Sequence, residues 1–122
     1  HPVMVEDQIE GSVYMGMSEA LFEDQQFYDA GGNHGPRVRG MHTSPSLLDY
    51  RIATSLDTPE VLSSIVESLD PVGPYGAKEA GEGPLHPAIP AIANAIFNAT
   101  GVRVRDYPIT MEKLLPHMPP VS

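Results

Sequence analysis

An α+β domain is what the sequence predicts, with two main helices and several short strands. Two stretches, residues 4–24 and 85–100, carry apolar residues at helical spacing. Short runs of alternating or β-branched residues lie between and after them. The 11 glycines and 13 prolines among 122 residues call for extensive loop. No internal repeat, low-complexity tract or shift in composition divides the chain, so residues 1–122 are expected to form one unit without an internal boundary.

In the first helix Val5, Ile9, Val13, Met17 and Leu21 recur every four residues, with Gly16 and Ala20 on an adjoining face. Pro2 lies just ahead, where a missing N–H costs little. Gly11 and Gly16 each cost about 1 kcal/mol relative to alanine inside a helix, so another backbone or a ligand is expected close to both. A strand at Gln26–Asp29 leads into the turn cluster Ala30–Pro36, and 37–59 should be mostly loop. Residues 60–68 allow two readings. Thr58-Pro59-Glu60 resembles a helix start, whereas Val61, Leu62, Ile65 and Val66 suit a strand. Asp70–Pro84, with four glycines and three prolines, must be a shaped loop. Ile89, Ile92, Ala93 and Ile96 mark one face of the second helix, and Gly101 is its stop. Val102–Arg105 alternates as a strand does, and Thr110–Leu115 is a short helix with Thr110 as cap.

The chain carries 7 basic and 16 acidic residues for a net charge of −9, a poor match to a nucleic-acid backbone. No run approaches the ~18 apolar residues of a membrane helix, and no charged start leads into an apolar leader. Zero cysteines exclude disulfides, thiolate metal sites and iron–sulfur ligation within these residues. The five histidines are scattered without a metal-binding pair, so no metal ligand is assigned. Met4, Met15, Met17 and Met41 are expected to fill the core. A helical pattern that starts within a few residues of His1, with no initiator methionine, suggests a piece of a longer polypeptide.

The most unusual stretch is Gly73-Pro74-Tyr75-Gly76-Ala77-Lys78-Glu79-Ala80-Gly81-Glu82-Gly83-Pro84-Leu85. Its glycines permit close backbone approach to a ligand, and Lys78, Glu79 and Glu82 put three ionisable groups ahead of an apolar helix. A carboxylate there is favoured by the helix dipole and, depending on burial, can act as a base near neutral pH. Ordinary capping or a solvated surface explains the same residues. A nucleotide-phosphate cradle with Lys78 as counter-charge fits less well, because Glu79 and Glu82 repel phosphate and no Walker or dinucleotide pattern is present.

This loop resembles the glycine-lysine-x-x-glycine-glutamate signature of the molybdenum-binding (large) subunit in the xanthine dehydrogenase family of molybdenum hydroxylases. Four further stretches resemble the same region in the same order: Gln8–Met17, Ser44–Ile52, Pro90–Ile96 and Pro108–Leu115. The likeness covers essentially the whole chain. The Gly-Ala-Lys-Glu-Ala opening is most similar to aromatic-oxidising members of the type of 4-hydroxybenzoyl-CoA reductase alpha subunits. Ala53 departs from the pattern, standing where the family often has proline.

The resemblance implies a fragment of a molybdopterin-binding domain of the aldehyde oxidase/xanthine dehydrogenase type, contributing to oxidation or reductive dehydroxylation of an aromatic, heterocyclic or aldehyde substrate. Glu82 would be the catalytic carboxylate, accepting a proton from the attacking oxygen nucleophile. Gln8, Gly11, Lys78, Glu79, Ala80 and Gly81 would line the molybdenum–molybdopterin cofactor, expected in its cytosine dinucleotide form. The 2Fe-2S clusters and FAD would sit on other chains or domains. The implied partners are the remainder of the large subunit, an iron–sulfur subunit and an FAD subunit, in a cytoplasmic enzyme of which this chain alone is inactive. A different class of function stays open beside it: a non-catalytic acidic interaction module derived from that domain.

Overall fold

The computed structural model describes residues 1–28 and 40–119. Three α-helices organise them: α1 (Pro2–Leu21), α2 (Leu85–Thr100) and the single turn α3 (Met111–Leu114), with 3-10 turns at Pro74–Gly76 and Leu115–His117. The two main helices stand where the periodicity put them. The first begins and ends two or three residues earlier than expected, with the His1 ring capping the Met4 N–H at 3.4 Å.

The expected strands are not formed among the described residues, which hold one isolated antiparallel bridge, Phe27 to His42. Around it Tyr28 N–H donates to Met41 C=O and Thr43 N–H to Gln26 C=O, each at 2.9 Å. Asp29 and the turn cluster Ala30–Pro36 lie outside the described residues. Val102–Arg105 alternates in burial but meets no partner strand; Val102 and Val104 instead pack beside Ala93 and Ile96 of α2. The α+β expectation thus gives way to a helical segment, because period-two patterning makes a strand only where a second backbone pairs with it. Residues 60–68 are neither helix nor paired strand.

The contact face of α1 is the surprise. The predicted stripe of Val5, Ile9, Val13 and Leu21 is only half-buried, whereas the adjoining small residues Ser12, Gly16 and Ala20, spaced by four, are buried. The cause is the close approach of α2. A Cβ built on Gly16 would lie 2.7 Å from the Ala88 Cβ and 3.0 Å from the Leu85 carbonyl oxygen. Larger side chains at the crossing would hold the helices apart, so they flank it instead. Met17 joins the core, but Met4, Met15 and Met41 are exposed and do not fill it.

Gly101 closes α2 as expected, at φ 75°, donating to Phe97 C=O at 2.7 Å. The chain then folds back, and Val102, Ile109 and Leu114 form a small core against α2. Ile109 N–H donates to Ala20 C=O at 2.7 Å, satisfying a carbonyl at the end of α1. Thr110 precedes α3 but caps no backbone N–H with its side chain; its hydroxyl serves the Glu112 carboxylate, which is held below its usual pKa mainly by its own backbone N–H and then by Thr110.

A candidate active-site cleft between helix α1 and the glycine loop

Loop 70–84 is shaped by its own polar groups. The Asp70 carboxylate accepts from Val72 N–H and Gly73 N–H, each at 2.8 Å, and these bonds hold its pKa below the usual carboxylate range. Asp70 N–H donates to Gly76 C=O at 3.0 Å, closing the turn. Gly76 sits at φ 77°, a conformation that favours glycine, with the mobile end of the exposed Leu69 side chain beside it. Lys78 turns away from the loop and donates to the Ser68 hydroxyl at 2.7 Å.

Beyond Lys78 the chain is clamped at one residue. Gly81 N–H donates to the Glu79 carboxylate, and Gly81 C=O accepts from the Ser12 hydroxyl at 2.9 Å. Ser12 is 1% exposed, so this bond is shielded from water and ties the loop to the middle of α1. Glu82 follows immediately, with an exposed side chain and a carbonyl accepting from Leu85 N–H at 3.1 Å at the entrance of α2. No side chain caps the first turn of α2, so Glu82 is left to face outward and does not act as a cap.

This geometry creates a cleft of about 380 Å³ between α1 and the loop, lined among others by Asp7, Gln8, Gly11, Ser12, Gly81 and Glu82. Four of the residues singled out in the sequence thus meet there: Gln8, Gly11, Gly81 and Glu82. Lys78, Glu79 and Ala80 do not line it; Glu79 instead braces Gly81 from behind. Both polar backbone groups of Gly81 are engaged internally, its N–H by Glu79 and its C=O by Ser12. A Cβ built on Gly11 meets no atom within 4 Å, so α1 presents open backbone towards the cleft there. With Asp7 and Glu82 on its walls and Lys78 directed elsewhere, the cleft lacks the counter-charge a phosphate cradle needs.

Sequence reasoning missed the three hydroxyls that hold loops onto α1. Besides Ser12, Ser18 accepts from Ala53 N–H at 3.0 Å, and the Tyr14 hydroxyl donates to Ala53 C=O. Both polar groups of the Ala53 backbone are therefore satisfied by one helix face. A readable signal existed: Ser12 falls on the stripe of Gly16 and Ala20, where a small polar residue on a contact face needs a partner. Further along, Tyr50 donates to the Glu23 carboxylate at 2.9 Å and stacks edge-on with His42, with centroids 5.7 Å apart. Desolvation and then that carboxylate raise the Tyr50 pKa.

No protein-family model matches the chain. It is 38% identical over 114 residues to the xanthine dehydrogenase molybdenum-binding subunit of Escherichia coli O157:H7, covering 93% of this chain and 14% of that subunit. To the aldehyde oxidoreductase molybdenum-binding subunit of Escherichia coli K12 it is 36% identical over 122 residues, covering 99% of this chain and 16% of the relative. The crystal structure of quinoline 2-oxidoreductase from Pseudomonas putida 86 superposes with a TM-score of 0.79 at 27% identity, covering 97% of this chain and 15% of that one. The chain spans about one-seventh of the length of these relatives. Over nearly all its residues, then, it is homologous to a single segment of the molybdenum-binding subunits of xanthine dehydrogenase and aldehyde oxidoreductase.

Proposed function

We propose that the chain is a segment of the molybdenum-binding subunit of a xanthine dehydrogenase-family oxidoreductase, and that Glu82 is its catalytic carboxylate. The observation that carries this reading is the meeting of Gln8, Gly11, Gly81 and Glu82, about 70 positions apart in sequence, on one cleft of about 380 Å³. That volume lies within the range of small-molecule and cofactor sites. The residues present fit an organic cofactor better than a bare ion: no group of three or more His, Cys, Asp or Glu side chains among the described residues could hold a metal. Open helix backbone at Gly11 and an exposed amide at Gln8 suit a flat, hydrogen-bonding ring system. A molybdenum–molybdopterin group, in its cytosine dinucleotide form, supplies two-electron redox chemistry when bound.

The chain's own residues bind and move a proton. Gln8 donates or accepts at the cofactor edge, and Gly11 lets that edge approach α1. Ser12 and Glu79 hold the Gly81 peptide from two sides, which fixes the backbone from which Glu82 projects. The Glu82 carboxylate takes the proton released as an oxygen nucleophile attacks the substrate carbon. In the reductive direction it returns that proton. Lys78 and Ala80 support the loop behind this wall. The substrate is a small aromatic, heterocyclic or aldehyde compound; the likeness of Gly-Ala-Lys-Glu-Ala to members of the 4-hydroxybenzoyl-CoA reductase type favours an aromatic one. The 2Fe-2S clusters and FAD sit on companion subunits, and the 122 residues alone are inactive.

Glu82→Gln in the intact enzyme tests the assignment. Molybdenum content should stay near wild type while turnover falls about 10²–10⁴-fold, as on loss of a general base. Turnover within a few-fold of wild type would refute the role.

A further inference from the structure

From Thr58 to Asp70 the chain runs without helix, turn or bend. Among the described residues no hydrogen bond involves positions 59–67, while the flanking Thr58 hydroxyl and Ser68 hydroxyl are both engaged. The side chains alternate in burial over Val61–Ser64, and from Ile65 to Leu69 all are exposed. Val61 and Ser63 are half-buried; Leu62, Ser64 and Val66 point outward, with Leu62 and Val66 exposed by 87% and 85%. A backbone stretch with free N–H and C=O groups, β-branched residues and outward apolar side chains is one that can pair with a sheet edge.

We propose that residues 60–68 are a β-strand that pairs with a sheet edge supplied by the part of the same subunit outside residues 1–122. This rests on the reading of the chain as a segment of a molybdenum-binding subunit, whose relatives are about seven times its length. The strand-forming residues Val61, Ile65 and Val66 then serve assembly of the subunit, and pairing places loop 70–84 against the rest of the molecule.

Hydrogen–deuterium exchange on the intact full-length subunit tests this, with molybdenum content measured on the same sample. The peptide spanning 60–68 should exchange about 10³-fold or more below the rate of a free chain, as core strands do. Exchange within about tenfold of the free rate, with α1 and α2 still protected, overturns the proposal. So does protection that disappears on dilution to the monomer, which would make a second copy the partner. Ser63→Pro and Ser64→Pro remove N–H groups on opposite edges of the strand. At least one should reduce the protection of 60–68 by 100-fold or more, and retention in both overturns the pairing. Molybdenum bound with free exchange removes the strand and leaves the functional reading; protection without molybdenum does the reverse.

Discussion

Replacing Gly16 by alanine is a small change with a sign that the structure decides. Helix propensity alone favours alanine by about 1 kcal/mol. Against this, the new Cβ would stand 2.7 Å from the Ala88 Cβ and 3.0 Å from the Leu85 carbonyl oxygen. Carbon pairs sit at about 3.5–4.0 Å, so α2 must retreat by roughly 1 Å. Neither neighbour can swing aside, since one is a main-chain oxygen and the other a Cβ fixed to its helix. Such overpacking costs about 1–3 kcal/mol, leaving a net loss of roughly 1 kcal/mol. The retreat also pulls on the Ser12–Gly81 bond at 2.9 Å, which has little slack before it fails as a hydrogen bond. Gly11→Ala is the control, the same exchange on the same helix with nothing within 4 Å of the new carbon. It should stabilise cofactor-free protein by about 1 kcal/mol. Thermal unfolding of the two cofactor-free variants should place Gly16→Ala below wild type and Gly11→Ala above it. A Gly16→Ala protein that melts at or above Gly11→Ala refutes the close-approach argument. On the proposed role of Gly11 in lining the cofactor, Gly11→Ala should also lower the molybdenum content of the intact enzyme, since the new carbon faces the cleft.

Ser12→Ala leaves the Gly81 carbonyl without its shielded donor, at a cost of about 1–3 kcal/mol. In the intact enzyme it should lower turnover with molybdenum content held, and unchanged turnover would dissociate the clamp from Glu82. Ala53→Pro, which restores the residue frequent in the family, removes the N–H that donates to Ser18 at 3.0 Å and sets a ring carbon in its place. Stability should fall in the Ser18 background and fall markedly less when Ser18→Gly is made together with it, as a double-mutant cycle would read. For Asp70 the folded-state pKa lies below the ordinary value of 3.8. Its bonds to Val72 and Gly73 therefore stabilise the loop at all pH values above that, and are lost as pH falls through the lower folded value. Amide exchange at Val72 and Gly73 should hold constant from pH 8 to 5 once intrinsic rates are divided out, and rise below about 3.8; a rise near pH 6 would contradict this.

Helix α2 was legible to the residue because every determinant is local: an apolar face at Ile89, Ile92, Ala93 and Ile96, and a glycine able to take φ 75° at the stop. The loop at 70–84 was equally readable, since its glycines and prolines exclude regular structure. The strands were not, and the reason is general. Val102–Arg105 and residues 60–68 have the alternation, but alternation specifies a face and not a partner, and the described residues contain no second strand for either. Of the site, Glu82, Gly81, Gly11 and Gln8 were named from motif likeness, and the cleft joins them. Lys78 and Glu79 were named with them, yet their side chains turn to Ser68 and to Gly81.

The sequence by itself determined where two helices lie, where the loop between them must bend, and which short stretches resemble a molybdenum-binding subunit, because each depends on neighbours within a few residues. Tertiary structure alone decided which side of α1 is the contact face. Once α2 approaches to within a glycine's reach at Gly16, the larger apolar stripe becomes flank and the buried hydroxyls of Ser12 and Ser18 must find backbone partners 69 and 35 positions away. Those two bonds hold Gly81 and Ala53 against one helix, and the first of them sets the position of the residue before Glu82. Periodicity along a chain ranks faces by hydrophobicity; close packing selects them by size.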